Sequence, residues 1–118
     1  MKQTKTSLKK KADILFSQHI RSLGYCEKCG KTSNLQCAHI ISRSVIHLRY
    51  EPKNALCLCA GCHLYWAHKE PLAFSEFVYT HKGKDTWHWL LEESKKIQPV
   101  KISFYLNIIE QLKQLKAA

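Results

Sequence analysis

Apolar positions along this chain recur with two different periods. Leu8, Ala12, Leu15, Phe16, Ile20 and Leu23 step by three and four residues. That spacing predicts a helix over about 7–23, with Ser7 or Thr6 as N-cap and Gly24 just past its end. Leu35, Cys37, His39 and Ile41 alternate instead, the period of a short strand over 35–41. A second strand is expected over 55–58, able to pair with the first as a hairpin across a long, polar, irregular connection, 42–54. The stretch from Cys59 to His68 reads as a tight turn running into a helix. Pro71 suits the first turn of another helix, carrying Phe74, Phe77 and Val78 and ended by Gly83. Asp85 is the expected cap of the next, with Trp87, Leu90, Leu91 and Ile97 as its apolar face and Pro99 as its stop. The last pattern is the clearest: Ile102, Tyr105, Ile109, Leu112 and Lys116 make one stripe over 101–116. The fold class is α+β, a small two-stranded centre with helices at both ends.

At 118 residues the chain is the size of one domain. It divides into a basic arm and helix (1–24), a central core (25–68) and a helical C-terminal region (69–118). Residues 1–11 hold five lysines and no acid, the composition of a mobile arm. There is no apolar run of about 18 residues to span a membrane, and the basic N-terminus has no apolar core of a secretory signal. A cytoplasmic location is therefore expected. Charge narrows the partner: 19 basic against 9 acidic side chains, a net +10, favour a polyanion, and nucleic acid before others.

The six cysteines change the picture most. Cys26 and Cys29 form one C-x-x-C pair, Cys59 and Cys62 a second. In a reducing compartment such pairs favour thiolate ligation over disulfides. Two knuckles approaching from opposite sides suit tetrahedral zinc, so a structural Zn²⁺ held by Cys26, Cys29, Cys59 and Cys62 is expected. The separation exceeds the roughly 15–20 residues of a compact zinc ribbon, so something sizeable is inserted between them. Cys37 and Cys57 read as small apolar residues. A four-thiolate iron site or a redox role is the alternative chemistry for the pairs.

The insert carries a resemblance. C-E-K-C-G, then C-A-H-I-I-S-R, then L-R-Y-E-P-K-N-A-L-C-L-C-A-G-C-H is similar to the HNH endonucleases of the ββα-metal type. Within them it resembles the phage NinG/Rap-like recombination nucleases and related small phage HNH proteins. The likeness covers residues 25–68, and P-L-A-F-S-E-F at 71–77 resembles the helix after the motif in small phage HNH proteins. It implies a ββα-metal core and metal-dependent hydrolysis of DNA, double-stranded or branched, in a bacterial or phage-infected cell. His39, Asn54 and His63 stand at the matching positions. A homodimer is compatible with the helices around the motif.

Physical roles follow for these residues. Neutral imidazole suits proton removal from water near pH 7, the part expected of His39. His63 would hold a hard divalent cation such as Mg²⁺ against the scissile phosphate. Asn54 would tie the long loop to the first strand, orient His39 and touch the ion, as in some members of the family. The sequence departs from the usual pattern at Ala38, where many HNH enzymes place a metal ligand. His68 is a further candidate ligand, but on a regular helix it lies about 140° from His63. Arg43 and Arg49 are the candidates for gripping phosphates. The competing reading is a zinc-stabilised nucleic-acid-binding module without catalysis.

Overall fold

The computed structural model describes residues 3–117. Helix α1 (Lys5–Arg21) starts earlier than the apolar period alone suggests. Its N-cap is Thr4, not Ser7 or Thr6. The Thr4 hydroxyl accepts from the Ser7 amide at 3.1 Å, and the Ser7 hydroxyl accepts from the Thr4 amide at 3.2 Å. Two orphan amides are satisfied reciprocally, a capping box in which serine replaces the usual acid or amide. Residues 5–11 are therefore helix rather than arm.

Strand β1 (Leu35–His39) stops two residues short of Ile41 and pairs antiparallel with β2 (Ala55–Cys59). The register sets Leu35 opposite Cys59, Cys37 opposite Cys57 and His39 opposite Ala55. The connection is less irregular than its polarity suggests. It contains a short helix α2 (Ile46–Arg49) and a 3-10 turn, Pro52–Asn54. β2 is buried along its whole length, and its two faces serve two cores. Leu8, Ala12 and Phe16 of α1 pack with Tyr50, Ala55 and Tyr105, Ile109 and Leu112 of helix α5 (Ile102–Ala117) on one side. On the other, Ala38, Leu56 and Leu58 meet Val78, Phe74 and Phe77 of α3 (Pro71–Lys82) and Trp87 of α4 (Lys84–Ser94).

Gly83 serves both α3 and α4. Its φ of 96° turns the chain where a side chain would be strained, and it is the C-cap of one helix and the N-cap of the next. Asp85 consequently sits inside the first turn of α4 and does not cap it. Trp87 and Leu90 face inward as expected, but Leu91 is 39% exposed and Ile97, beyond the helix end, is 97% exposed. On α5, Ile102 leaves the buried stripe that Tyr105, Ile109 and Leu112 maintain. No helix of the described residues is long and apolar enough to cross a membrane.

Candidate functional site

Two centres are built on the same short sheet. The first is a thiolate cluster. Gly30, with a φ of 81°, closes the first knuckle: its amide donates to the Cys26 carbonyl at 2.8 Å, and the Cys26 amide donates to Lys31 at 2.7 Å. The knuckle is stitched to β2 by Glu27, whose amide donates to the Cys57 carbonyl (2.8 Å) and whose carboxylate accepts from the Cys57 amide (2.7 Å). Cys59 ends β2 and Cys62 opens the following helix, so both pairs meet at one corner. The sulfurs of Cys26, Cys29, Cys59 and Cys62 all lie within 4.8 Å of one another. Cys29 Sγ and Cys59 Sγ are 3.7 Å apart. Sulfurs about 2.3 Å from a tetrahedral zinc stand about 3.8 Å from each other, the spacing that Cys29 and Cys59 already show. Burial works against the Cys26 thiolate, yet backbone hydrogen bonds from Cys59, Cys29 and Lys28 outweigh it and bring the group down to about 6. Cys57 and Cys37 stay outside the cluster: Cys57 is buried on β2, and burial pushes the half-buried Cys37 thiol up to about 12. Four cysteines are thus positioned to hold a metal ion, as a structural zinc requires.

The second centre is a cavity of about 390 Å³ between α1, the end of β1 and the helix after the second knuckle. His39, His63 and His68 all line it, with Asp13, Phe16, Ser17, Cys37, Ser42 and Arg43. His39 packs on the Phe16 ring at 5.7 Å between centroids. Its Nε2 lies 2.8 Å from the carbonyl oxygen of Arg49. A carbonyl only accepts, so Nε2 carries the hydrogen and Nδ1 keeps a free lone pair. Burial, with Arg43 and Arg49 nearby, holds the His39 pKa below its ordinary value, although the Arg49 carbonyl favours the charged ring. His63 is fixed by the same logic from the other nitrogen. Its Nδ1 donates to Gln36 Oε1 at 2.7 Å, which leaves Nε2 as the free donor atom. Burial, then the neighbouring rings of His68 and His39, also lower its pKa.

His68 reaches the cavity because residues Cys62–Ala67 wind as a π-helix. In that winding hydrogen bonds run from i to i+5, so residues five apart stack on one side. The rings of His63 and His68 are 5.5 Å apart. The 140° offset of a regular helix does not arise. Ala38 points the other way, 1% exposed among the residues of the second core, so the strand offers no ligand from that position.

Two expectations are corrected here. Asn54 ties the loop to the first strand, as its place suggests, but it does not reach the cavity. It is fully buried; its Oδ1 accepts from the Ile41 amide at 2.6 Å, and its Nδ2 donates to the carbonyls of Ile41 (3.2 Å) and Leu48 (3.0 Å). Buried among these partners, Asn54 presents no atom to the cavity, and the group that orients His39 is the Arg49 carbonyl. Asn54 acts one step further back, by holding α2, which carries that carbonyl. Arg49 itself is 8% exposed and does not line the cavity, so it is not placed to grip a phosphate there. Its Nε and Nη2 donate to the two oxygens of Asp13 at 2.8 and 2.7 Å, and Nη1 donates to the Arg43 carbonyl at 3.1 Å. Arg43 keeps a side chain 57% exposed at the cavity rim, with a longer 3.3 Å contact to Asp13.

Asp13 is the residue the motif does not announce, because it comes from α1, 36 positions before its main partner. Burial alone would raise its pKa, but hydrogen bonds from Arg49 and Tyr50 hold it below the ordinary value. Replacing it with asparagine leaves the Arg49 charge buried and unpaired, a loss expected at about 3 kcal/mol. A urea midpoint lowered accordingly, with unchanged slope, checks this; an unchanged midpoint refutes it.

Among the described residues the thiolate cluster is the only group of three or more such side chains with metal-ligand spacing. No family model, curated protein or solved structure matches this chain.

Proposed function

We propose that the chain is a metal-dependent DNA endonuclease of the HNH type, with a ββα-metal core stabilised by zinc. The observation that carries this reading is the cavity in which three imidazoles converge, each of the two best held with its hydrogen on one nitrogen and a free lone pair on the other. His39, neutral because it is buried, takes a proton from the attacking water at Nδ1. His63 Nε2 and His68 supply the ligand atoms for an exchangeable cation. That ion, when bound, neutralises charge developing on the phosphate and the leaving oxygen. Arg43 at the rim positions a neighbouring phosphate.

The donor set favours a particular ion. Two imidazoles without a free carboxylate suit a borderline cation such as Ni²⁺ best; Mn²⁺ is harder but still takes nitrogen more readily than Mg²⁺, which prefers oxygen. Nicking of supercoiled plasmid should therefore be faster with Mn²⁺ or Ni²⁺ than with Mg²⁺ at equal concentration, and absent without added cation. Cleavage equally fast in all three ions removes the two-imidazole assignment. Binding of DNA with no cleavage under any of them favours instead a zinc-stabilised nucleic-acid-binding module, the reading the net charge of +10 supports independently.

A further inference from the structure

One wall of the cavity belongs to α1, which lies outside the motif and packs Phe16 on His39. Asp13 and Ser17 line the cavity from this helix. At 3.6 residues per turn, Lys10, Ser17 and Arg21 fall within roughly 40° of one another, beside Asp13 and away from the buried stripe of Leu8, Ala12 and Phe16. Arg21 is held on this flank by its Nε, which donates to the Ser17 hydroxyl at 3.0 Å and carbonyl at 3.2 Å, leaving its terminal nitrogens free to bind. It is also near enough to Cys37, on the cavity wall, to favour that residue's thiolate, as Arg43 does.

The only acid of α1 does not weaken this surface. Asp13 gives both oxygens to the buried Arg49, so the flank presents Lys10, Arg21 and the neighbouring Arg43 with no free carboxylate among them. Lys10 and Arg21 are eleven positions apart, about 16 Å along the helix axis. That matches about five nucleotides at 3.4 Å per residue of one strand. The stripe also carries no aromatic side chain. A single strand is usually held by rings that stack on its bases, whereas a duplex backbone needs only spaced cations.

We propose that α1 is a backbone track for duplex nucleic acid, in which Lys10, Arg21 and Arg43 contact phosphates on either side of the bond presented to the cavity. The proposal rests on the nuclease reading for the place of the cut but not for the binding itself. The test is the affinity of the zinc-loaded full chain for a short labelled duplex, without added divalent cation, across a NaCl series. In Lys10→Gln/Arg21→Gln the slope of log affinity against log salt should shrink by about 1.8, that is 0.9 for each lost phosphate contact, with affinity at low salt down roughly tenfold. Lys84→Gln/Lys113→Gln, two exposed lysines on α4 and α5, should keep the wild-type slope. Circular dichroism shows whether each variant is folded, and Arg21→Lys, which keeps the charge, should restore most of the slope. An unchanged slope in the first pair, an equal loss in the control pair, or tighter binding to anionic vesicles than to duplex overturns the track. If the slope falls as stated while the wild type never cuts, the track stands and the nuclease reading fails.

Discussion

Replacing Cys62 with serine, or withdrawing zinc with a chelator, is expected to unfold most of the chain rather than loosen one loop. The four sulfurs join the first knuckle, the end of β2 and the start of the π-helix at one corner. The first knuckle in turn holds β2 through Glu27 and Cys57. A bound structural zinc contributes about 10–16 kcal/mol of apparent binding energy. That equals or exceeds the roughly 5–15 kcal/mol by which an entire domain is stable. The circular dichroism of the helices should collapse on chelation and return when Zn²⁺ is restored. Loss of metal with no change in the unfolding transition would show that the cluster is incidental to the fold. Cys57→Ser, outside the cluster, should leave zinc content at one ion per chain.

His39→Ala should lower the rate of plasmid cleavage by at least about 100-fold, the lower end of what a general base contributes. Its ring packs on Phe16 at the edge of the cavity rather than in the centre of a core, so the variant should remain folded. The pH profile of the wild type carries the same assignment. Burial holds His39 below the ordinary histidine value, so the ring is already neutral at pH 7. The rate should rise with pH through that lowered value, then level off before neutrality. Acid acts on the fold in the same direction. Below about pH 6.5 the unfolded chain binds this proton more readily than the folded one, so stability declines as pH falls. Dichroism at each pH separates the two effects. A rate unaltered by the substitution would remove His39 from the chemistry.

The parts of this architecture that depend on local spacing were legible in the sequence. Two C-x-x-C pairs place their sulfurs by knuckle geometry alone, and the alternation around Cys37 and His39 identifies a strand without reference to anything distant. Arg43 and Arg49 show the limit. They sit in the same polar connection and carry the same charge, yet one is exposed and the other buried. Asp13 decides between them, and no local pattern links position 13 to position 49. Asn54 is readable as a tie for the loop, but not as a residue buried behind the cavity against Ile41 and Leu48. The start of α1 is hidden for a different reason. The apolar period begins at Leu8, whereas the cap belongs to Thr4 and Ser7, which are polar and lie outside it. The 140° offset of His68 belongs to ordinary helical winding, which the segment does not adopt.

That winding changes what a length variation does here. An α-helix brings residues four apart into line, while the turn over Cys62–Ala67 does so for residues five apart. Deleting one residue between His63 and His68 and rewinding the segment as ordinary helix would return the two rings to the same side. The segment therefore uncouples the number of residues between two imidazoles from their alignment. An insertion that would separate two side chains on a regular helix is absorbed as a change of pitch, between the cysteine cluster that Cys62 joins and the helix that Pro71 restarts.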